Sequence, residues 1–96
     1  MKELEYRTAL LLECLGEPNR FQILRLLETG PKNVSELARH LKRHPATICQ
    51  HLAVLRNLQV VRYRNQNRFT FYEIKAKVIS LLLNQAIQCA RQITSH

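Results

Sequence analysis

A run of small or hydrogen-bonding side chains follows Pro45, a residue that is typical of the first turn of a helix. The run contains, in chain order, Ala46, Thr47, Cys49, Gln50 and His51. A carboxamide such as Gln50 can pair with adenine through two hydrogen bonds, a hydroxyl can donate to a base or a phosphate, and a methyl group such as Ala46 can meet thymine. The early residues of a recognition helix face the bases, so this run predicts the readout of DNA bases.

Two members of the run have competing interpretations. His51 either packs against a neighbouring helix or contacts a phosphate, and the sequence favours neither. Cys49 hydrogen-bonds poorly, but positive surroundings make an exposed thiol more reactive. Oxidation of Cys49 could therefore block DNA binding directly.

The positive charge of the chain is segregated. The chain has 15 basic and 7 acidic residues, for a net charge of +8. Residues 1–41 carry six of each sign, whereas residues 42–96 carry nine basic residues against Glu73 alone. A one-sided basic field attracts polyanions and favours phosphate contacts. The candidates for phosphate contact are Lys42, Arg43, Arg56, Arg62, Arg64 and Arg68, with Asn67 between the last two.

The elements that would position these residues follow from periodicity and from helix signals. Helices are predicted over about 4–15, ended by Gly16, and from Pro18 to about residue 28. A helix-turn-helix over about 34–57 starts after Asn33 or Ser35. Alternating β-branched and aromatic residues predict a hairpin over about 60–74 with its tip at residues 65–67, and a last helix covers about 75–93. One domain over 1–96 is expected, mainly α with a small β-hairpin (α+β).

This order resembles the ArsR/SmtB family of winged helix-turn-helix repressors. The likeness rests on three segments: LGEPNRFQIL at residues 15–24, VSELA at residues 34–38 and ATICQHLAVLR at residues 46–56. Two positions depart from the family pattern. The first is Lys42, which stands where glycine is common in the turn. The glycine usual before the first strand is also missing, and we expect Asn57 to take the left-handed conformation there.

The resemblance implies a homodimer that pairs through its first and last helices, about 4–15 and 75–93, and represses by binding an inverted-repeat operator. Its two recognition helices would enter successive major grooves of double-stranded DNA, roughly 34 Å apart. The two hairpins would lie along the flanking backbone or minor groove.

The resemblance also indicates which of the family's metal-binding sites lack their ligand residues in this chain. The family's thiolate site on the third helix would need cysteines where this chain has Ala38 and His40. Its zinc site on the last helix falls on Ala76, Val78, Cys89 and Gln92, of which only Cys89 could be a ligand. Because zinc needs three or four such ligands, no metal and no cofactor is expected.

A thiol signal is the alternative. Relatives that sense oxidants or sulfur species use pairs of cysteines on the first and last helices, which here would be Cys14 and Cys89. Free cysteines are more often small buried apolar residues. A redox signal, a non-standard metal site at this pair and the absence of any effector therefore stay open.

Other functional classes are less favoured. The chain contains no Asp and only two glycines, so neither a Ser/His/Asp constellation nor a glycine-rich phosphate loop can be built, and an enzyme is not expected. The three widely spaced cysteines and the absence of a long apolar run predict a cytoplasmic protein. A winged-helix module that binds other nucleic acids or proteins without repressor activity is the remaining alternative.

Overall fold

The structure, a computed structural model, describes residues 2–94. Residues 1, 95 and 96 of the expected domain lie outside the described part. Within that part the elements are α1 (Lys2–Leu15), α2 (Pro18–Leu27), α3 (Val34–Leu41), α4 (Pro45–Asn57), β1 (Val61–Gln66), β2 (Phe69–Ile74) and α5 (Val78–Thr94). The two strands pair antiparallel. This order confirms the predicted α+β winged helix-turn-helix fold.

Local sequence signals determine the boundary between α1 and α2. The amide of Gly16 donates to the Leu12 carbonyl at 2.9 Å and ends α1. Glu17 is the N-cap of α2, and its carboxylate accepts a hydrogen bond from the Arg20 amide at 2.9 Å. Pro18 then occupies the first turn, where its missing amide costs nothing.

The first helix of the helix-turn-helix, α3, has a defined start and a defined end. Asn33, rather than Ser35, caps α3: its side chain accepts from the Glu36 amide at 2.8 Å, and its own amide donates to the Glu36 carboxylate at 2.9 Å. This reciprocal pair is a capping box. Lys42 ends α3 in the left-handed conformation, with φ of 55°, as its position in place of glycine requires.

The hairpin turns one residue later than predicted. Its register pairs Val61 with Ile74 and Gln66 with Phe69. The turn therefore consists of Asn67 and Arg68, both with positive φ (50° and 69°), which suits the right-handed twist of the strands. The predicted tip at residues 65–67 is wrong because Asn65 and Gln66 continue β1.

Two further boundaries differ from the sequence-based expectation. The left-handed residue after α4 is Gln59, with φ of 60°, because Asn57 still belongs to the helix. The last helix starts at Val78 rather than near Lys75. Lys75 instead extends the strand region by donating its amide to the Val60 carbonyl at 2.9 Å.

The core is built from one side of each helix and from the start of β1. Its buried members are Cys14, Leu15, Ile23, Leu24, Leu27, Leu37, Ala38, Ile48, Leu52, Leu55, Val60, Val61, Ile79 and Leu83. Only the last two come from α5, which leaves Val78, Leu81 and Ile93 exposed on that helix. Within residues 2–94 no helix is long and apolar enough to cross a membrane.

Candidate nucleic-acid interface

Burial along α4 separates a packing face from an open face. Ile48, Leu52 and Leu55 are fully buried and fix the helix on the body of the protein. Ala46, Cys49 and Gln50 are exposed, whereas Thr47 and His51 are partly buried. At helical spacing, Ala46 and Gln50 lie opposite the buried residues. Of the side chains predicted to read bases, Ala46, Cys49 and Gln50 are therefore accessible to a ligand, and Thr47 and His51 are accessible in part.

The start of α4 is organised by His44. Its ring Nδ1 accepts a hydrogen bond from the Ala46 amide at 3.1 Å, and its carbonyl accepts from the Thr47 and Ile48 amides. Pro45 has no amide to satisfy. These bonds satisfy the first amides of the helix and hold the turn that carries Ala46 and Thr47 in one orientation.

His51 contacts residues at the start of α2. Its Nδ1 lies 3.2 Å from the Arg20 Nη1 and 3.6 Å from the Glu17 Oε2. The Arg20 Nε donates in turn to the Cys14 carbonyl at the end of α1, at 2.8 Å. This chain of contacts joins α4 to α1 through α2.

The same cluster extends to the turn of the helix-turn-helix. Arg43 donates from Nε to the Asn19 side-chain oxygen at 2.9 Å, and Asn19 donates to Glu17 at 3.1 Å. Burial alone would raise the pKa of Glu17. The hydrogen bonds from Arg20 and Asn19, together with the positive charge of His51 when its ring is protonated and that of Arg20, lower the pKa overall. Ionised Glu17 therefore stabilises the fold above its ordinary pKa, and this contribution is lost as the pH falls through the lowered value.

The basic residues of the hairpin lie at its surface, where Glu73 partly neutralises them. Arg62 Nε donates to the Glu73 carboxylate at 2.8 Å, and Arg64 Nη2 lies 3.9 Å from the same group. Asn67 and Arg68 are exposed in the turn. Exposed ion pairs of this kind contribute little free energy, so Arg62 and Arg64 can exchange Glu73 for a phosphate at small cost.

Arg56 and two tyrosines connect the end of α4 to the hairpin. The Arg56 guanidinium carbon lies 4.4 Å from the centroid of the Tyr63 ring, and the Tyr63 and Tyr72 ring centroids are 5.9 Å apart. Burial, and then the charge of a Cys49 thiolate, raise the pKa of Tyr72. The Arg56–Tyr63–Tyr72 stack connects the recognition helix to the hairpin.

Sequence reasoning missed the residues that hold this surface in place. In the sequence, Glu17, Asn19 and Arg20 are marked only as part of the family-like segment, and Glu73 only as the single acidic residue of 42–96. The family-like segment at residues 15–24 is the one available signal, since it contains Glu17, Asn19 and Arg20. Nothing local in the sequence pairs Arg20 with His51, 31 residues away.

The three cysteines occupy different environments, and all are free thiols. Cys14 is buried, and burial raises the pKa of its thiol despite the opposing effect of Arg20. Cys49 and Cys89 are exposed. Cys14 thus matches the expectation of a small buried apolar residue, whereas Cys89 does not. Among the described residues no group of three His, Cys or acidic side chains could hold a metal ion.

Thiol labelling should separate these environments. Iodoacetamide at mildly alkaline pH should modify Cys49 quickly and Cys14 at least about tenfold more slowly, because reaction requires an exposed thiolate. Peptide mass spectrometry over a time course measures the three rates. Cys89→Ala serves as the matched control, since it should leave the rate at Cys49 unchanged. Labelling of Cys14 at the rate of Cys49 would contradict the burial of Cys14.

An exposed hydrogen-bonding helix face, positioned beside a basic hairpin by a buried core, defines a DNA-binding winged helix-turn-helix regulator. Comparison with known proteins gives the family. The family model of the bacterial regulatory proteins of the arsR family matches residues 17–63. The chain belongs to this family and is a DNA-binding transcriptional regulator.

Individual relatives agree with this family. The HTH-type transcriptional regulator NmtR of Mycobacterium tuberculosis is 32% identical over 81 residues, which are 84% of this chain and 68% of NmtR. The transcriptional repressor SdpR of Bacillus subtilis is 24% identical over 74 residues, 77% of this chain and 82% of SdpR. The homodimeric winged helix-turn-helix DNA-binding domain of Mb0332 from Mycobacterium bovis shares the fold, with a TM-score of 0.87 at 22% identity. That superposition covers 99% of this chain and 89% of the other.

Proposed function

We propose that this regulator is a homodimeric repressor that binds an inverted-repeat operator through α4. The observation that carries the proposal is the open face of α4, where Ala46 and Gln50 are exposed opposite a fully buried packing face. Gln50 reads a base edge, and Thr47 donates to a base or to the adjacent phosphate. Arg43, Arg62, Arg64, Asn67 and Arg68 contact the phosphates on either side.

Uncovered apolar side chains on α1 and α5 support the dimer. Leu4 and Leu12 on α1 are 62% and 54% exposed, and Val78, Leu81 and Ile93 on α5 are 62%, 66% and 71% exposed. Apolar surface of this kind on two long helices marks a protein interface. A second copy of the chain, related by a two-fold axis, covers both helices and places two α4 helices on one side of the DNA. The homodimeric Mb0332 domain, with the same fold, supports a homodimer.

We infer repression from the way such a dimer occupies DNA. A dimer bound across two successive major grooves excludes other proteins from the same site. The relative SdpR, a transcriptional repressor, supports this direction of regulation. A signal that acts on the thiols has its most direct target in Cys49, since this residue is exposed within the recognition helix.

The proposal is tested by binding measurements on three nucleic acids. An inverted repeat selected from random duplexes, a scrambled duplex of equal composition and an RNA hairpin are titrated at two salt concentrations. We expect the inverted repeat to bind at least about a thousandfold more tightly than the scrambled duplex. The deep, narrow major groove of the RNA hairpin excludes α4. Equal binding to all three would contradict the proposal and favour a general nucleic-acid module.

Substitution of an arginine in the hairpin should weaken binding to all DNA sequences alike. Arg64→Ala or Arg68→Ala should weaken binding to the inverted repeat and to the scrambled duplex by similar factors. Each should also reduce the slope of log affinity against log salt by about 1, because one phosphate contact is lost. Fluorescence anisotropy across a salt series measures both quantities. Arg25→Ala, at an exposed position on α2 outside both proposed interfaces, is the charge-matched control. A loss confined to the inverted repeat would show that these arginines read bases instead.

A further inference from the structure

Arg20 belongs to α2 but bonds to the two helices on either side of it. Its Nε donates to the Cys14 carbonyl of α1 at 2.8 Å, and its Nη1 lies 3.2 Å from the His51 Nδ1 of α4. A guanidinium carries five N–H donors, accepts no hydrogen bond and stays protonated. In this contact Arg20 must therefore be the donor.

This requirement determines which nitrogen of His51 carries the proton. Because Arg20 donates to Nδ1, that atom must be an acceptor, and the hydrogen of the neutral ring resides on Nε2. The competing partner is the Glu17 carboxylate, whose Oε2 lies 3.6 Å from Nδ1, beyond hydrogen-bonding distance. The Glu17 oxygens instead accept from residues of α2, Oε2 from the Arg20 amide and Oε1 from the Asn19 side chain.

The second ring nitrogen of His51 has no hydrogen-bond partner within residues 2–94. Among residues 2–94 no buried side-chain nitrogen or oxygen lacks a hydrogen-bond partner. The contacts of the His51 side chain to Arg20 and Glu17 both involve Nδ1. Nε2 has no partner within the described chain, and the His51 side chain is 17% exposed. We infer from this that Nε2 is accessible to solvent as an N–H donor, one helical turn after Thr47.

We propose that Arg20 is a positioning residue for DNA binding. It holds His51 in the Nε2–H form, and it thereby presents a neutral donor from the recognition helix to a phosphate oxygen of the operator. The proposal rests on the proposed function and deepens it, because it assigns His51 a ligand and a protonation state. It also makes the position of this donor depend on the end of α1, through the bond from Arg20 to the Cys14 carbonyl.

A neutral donor differs measurably from the basic hairpin residues. A cation that neutralises a phosphate releases counterions, and its removal flattens the salt dependence. Removal of a neutral N–H donor lowers affinity and leaves the salt dependence unchanged. His51→Ala should therefore weaken operator binding about tenfold at constant salt slope. His51→Gln, whose amide nitrogen can replace the ring Nε2–H, should stay within about threefold of the wild type.

The state of the ring is read directly by nitrogen-15 NMR on the full chain without DNA. We expect the His51 signals of the neutral Nε2–H form in the wild type. Arg20→Lys keeps the charge but has a single donor group, which cannot replace the fork that reaches both Cys14 and His51. This variant should show a mixture of the two ring forms and an operator affinity lowered about tenfold at constant salt slope. Arg25→Lys, on the same helix but paired with Glu28, is the matched control and should change neither readout.

Several results would overturn the proposal. A wild-type ring that is protonated on Nδ1 contradicts it directly, and this measurement needs no variant that could fail to fold. An Arg20→Lys protein with an unchanged ring form and affinity also contradicts it, as does a changed salt slope in His51→Ala. None of these outcomes affects the wild-type preference for an inverted repeat over a scrambled duplex, so failure here is distinguishable from failure of the proposed function.

Discussion

Leu81→Lys should convert the protein from a dimer to a monomer and reduce its affinity for the inverted repeat by more than about a hundredfold. Leu81 is 66% exposed on α5 and belongs to the apolar surface proposed as the dimer interface. A buried lysine without a partner carries a large desolvation cost. Loss of the dimer removes the second recognition helix from the complex, and each half-site is then bound alone.

Sedimentation equilibrium measures the first effect, since one chain has a mass of 11.3 kDa and a dimer has twice that mass. The substitution adds a positive charge, so electrostatic repulsion from DNA cannot cause the loss of affinity. Gln22→Lys adds the same charge at an exposed position of α2 and should leave both mass and affinity near the wild-type values. A Leu81→Lys protein that remains dimeric would place the interface elsewhere.

Gln50→Ala should remove discrimination at one or two base pairs of each half-site, at a cost of about 1–3 kcal/mol of binding free energy. The side chain is exposed on the outward face of α4, so its truncation leaves no cavity and no buried unpaired group. Alanine is also the better helix former. The change should therefore appear in specificity and leave thermal stability unaltered.

The measurement is an affinity series over all single-base variants of the inverted repeat, for the wild type and for Gln50→Ala. In the wild type, replacement of the base read by Gln50 lowers affinity. In the variant the same replacement is neutral, while the other positions keep their effects. Gln22→Ala, an exposed glutamine on α2, is the control. An identical specificity profile for Gln50→Ala and the wild type would assign base reading to another residue.

The parts of the fold that local chemistry determines could be predicted from the sequence. Gly16, Pro18 and Pro45 lie at helix boundaries. The flexible backbone of glycine and the missing amide hydrogen of proline are tolerated at the ends of helices. The outward position of Gln50 follows from helical spacing to the buried Ile48 and Leu52. These properties depend only on residues within a few positions of each other.

Parts that depend on tertiary geometry were predicted wrongly or not at all. The hairpin turn falls on Asn67 and Arg68 because cross-strand pairing sets the register, and composition alone placed it one residue too early. Gln59 takes the left-handed conformation although Asn57 tolerates it better, because α4 continues through Asn57. The contact of Arg20 with His51 spans 31 residues and exists only once α2 and α4 have packed.

Half-site spacing tests the central claim most directly. The inverted repeat is compared with a duplex in which about five extra base pairs, half a helical turn, separate its two halves. We expect one dimer to bind the original repeat, and the expanded duplex to bind no more tightly than a single half-site, because the two recognition helices of a rigid dimer can no longer reach the same side of the DNA. Equal affinity for the two duplexes would show that the halves are bound independently, and it would contradict a dimer that reads both with paired α4 helices.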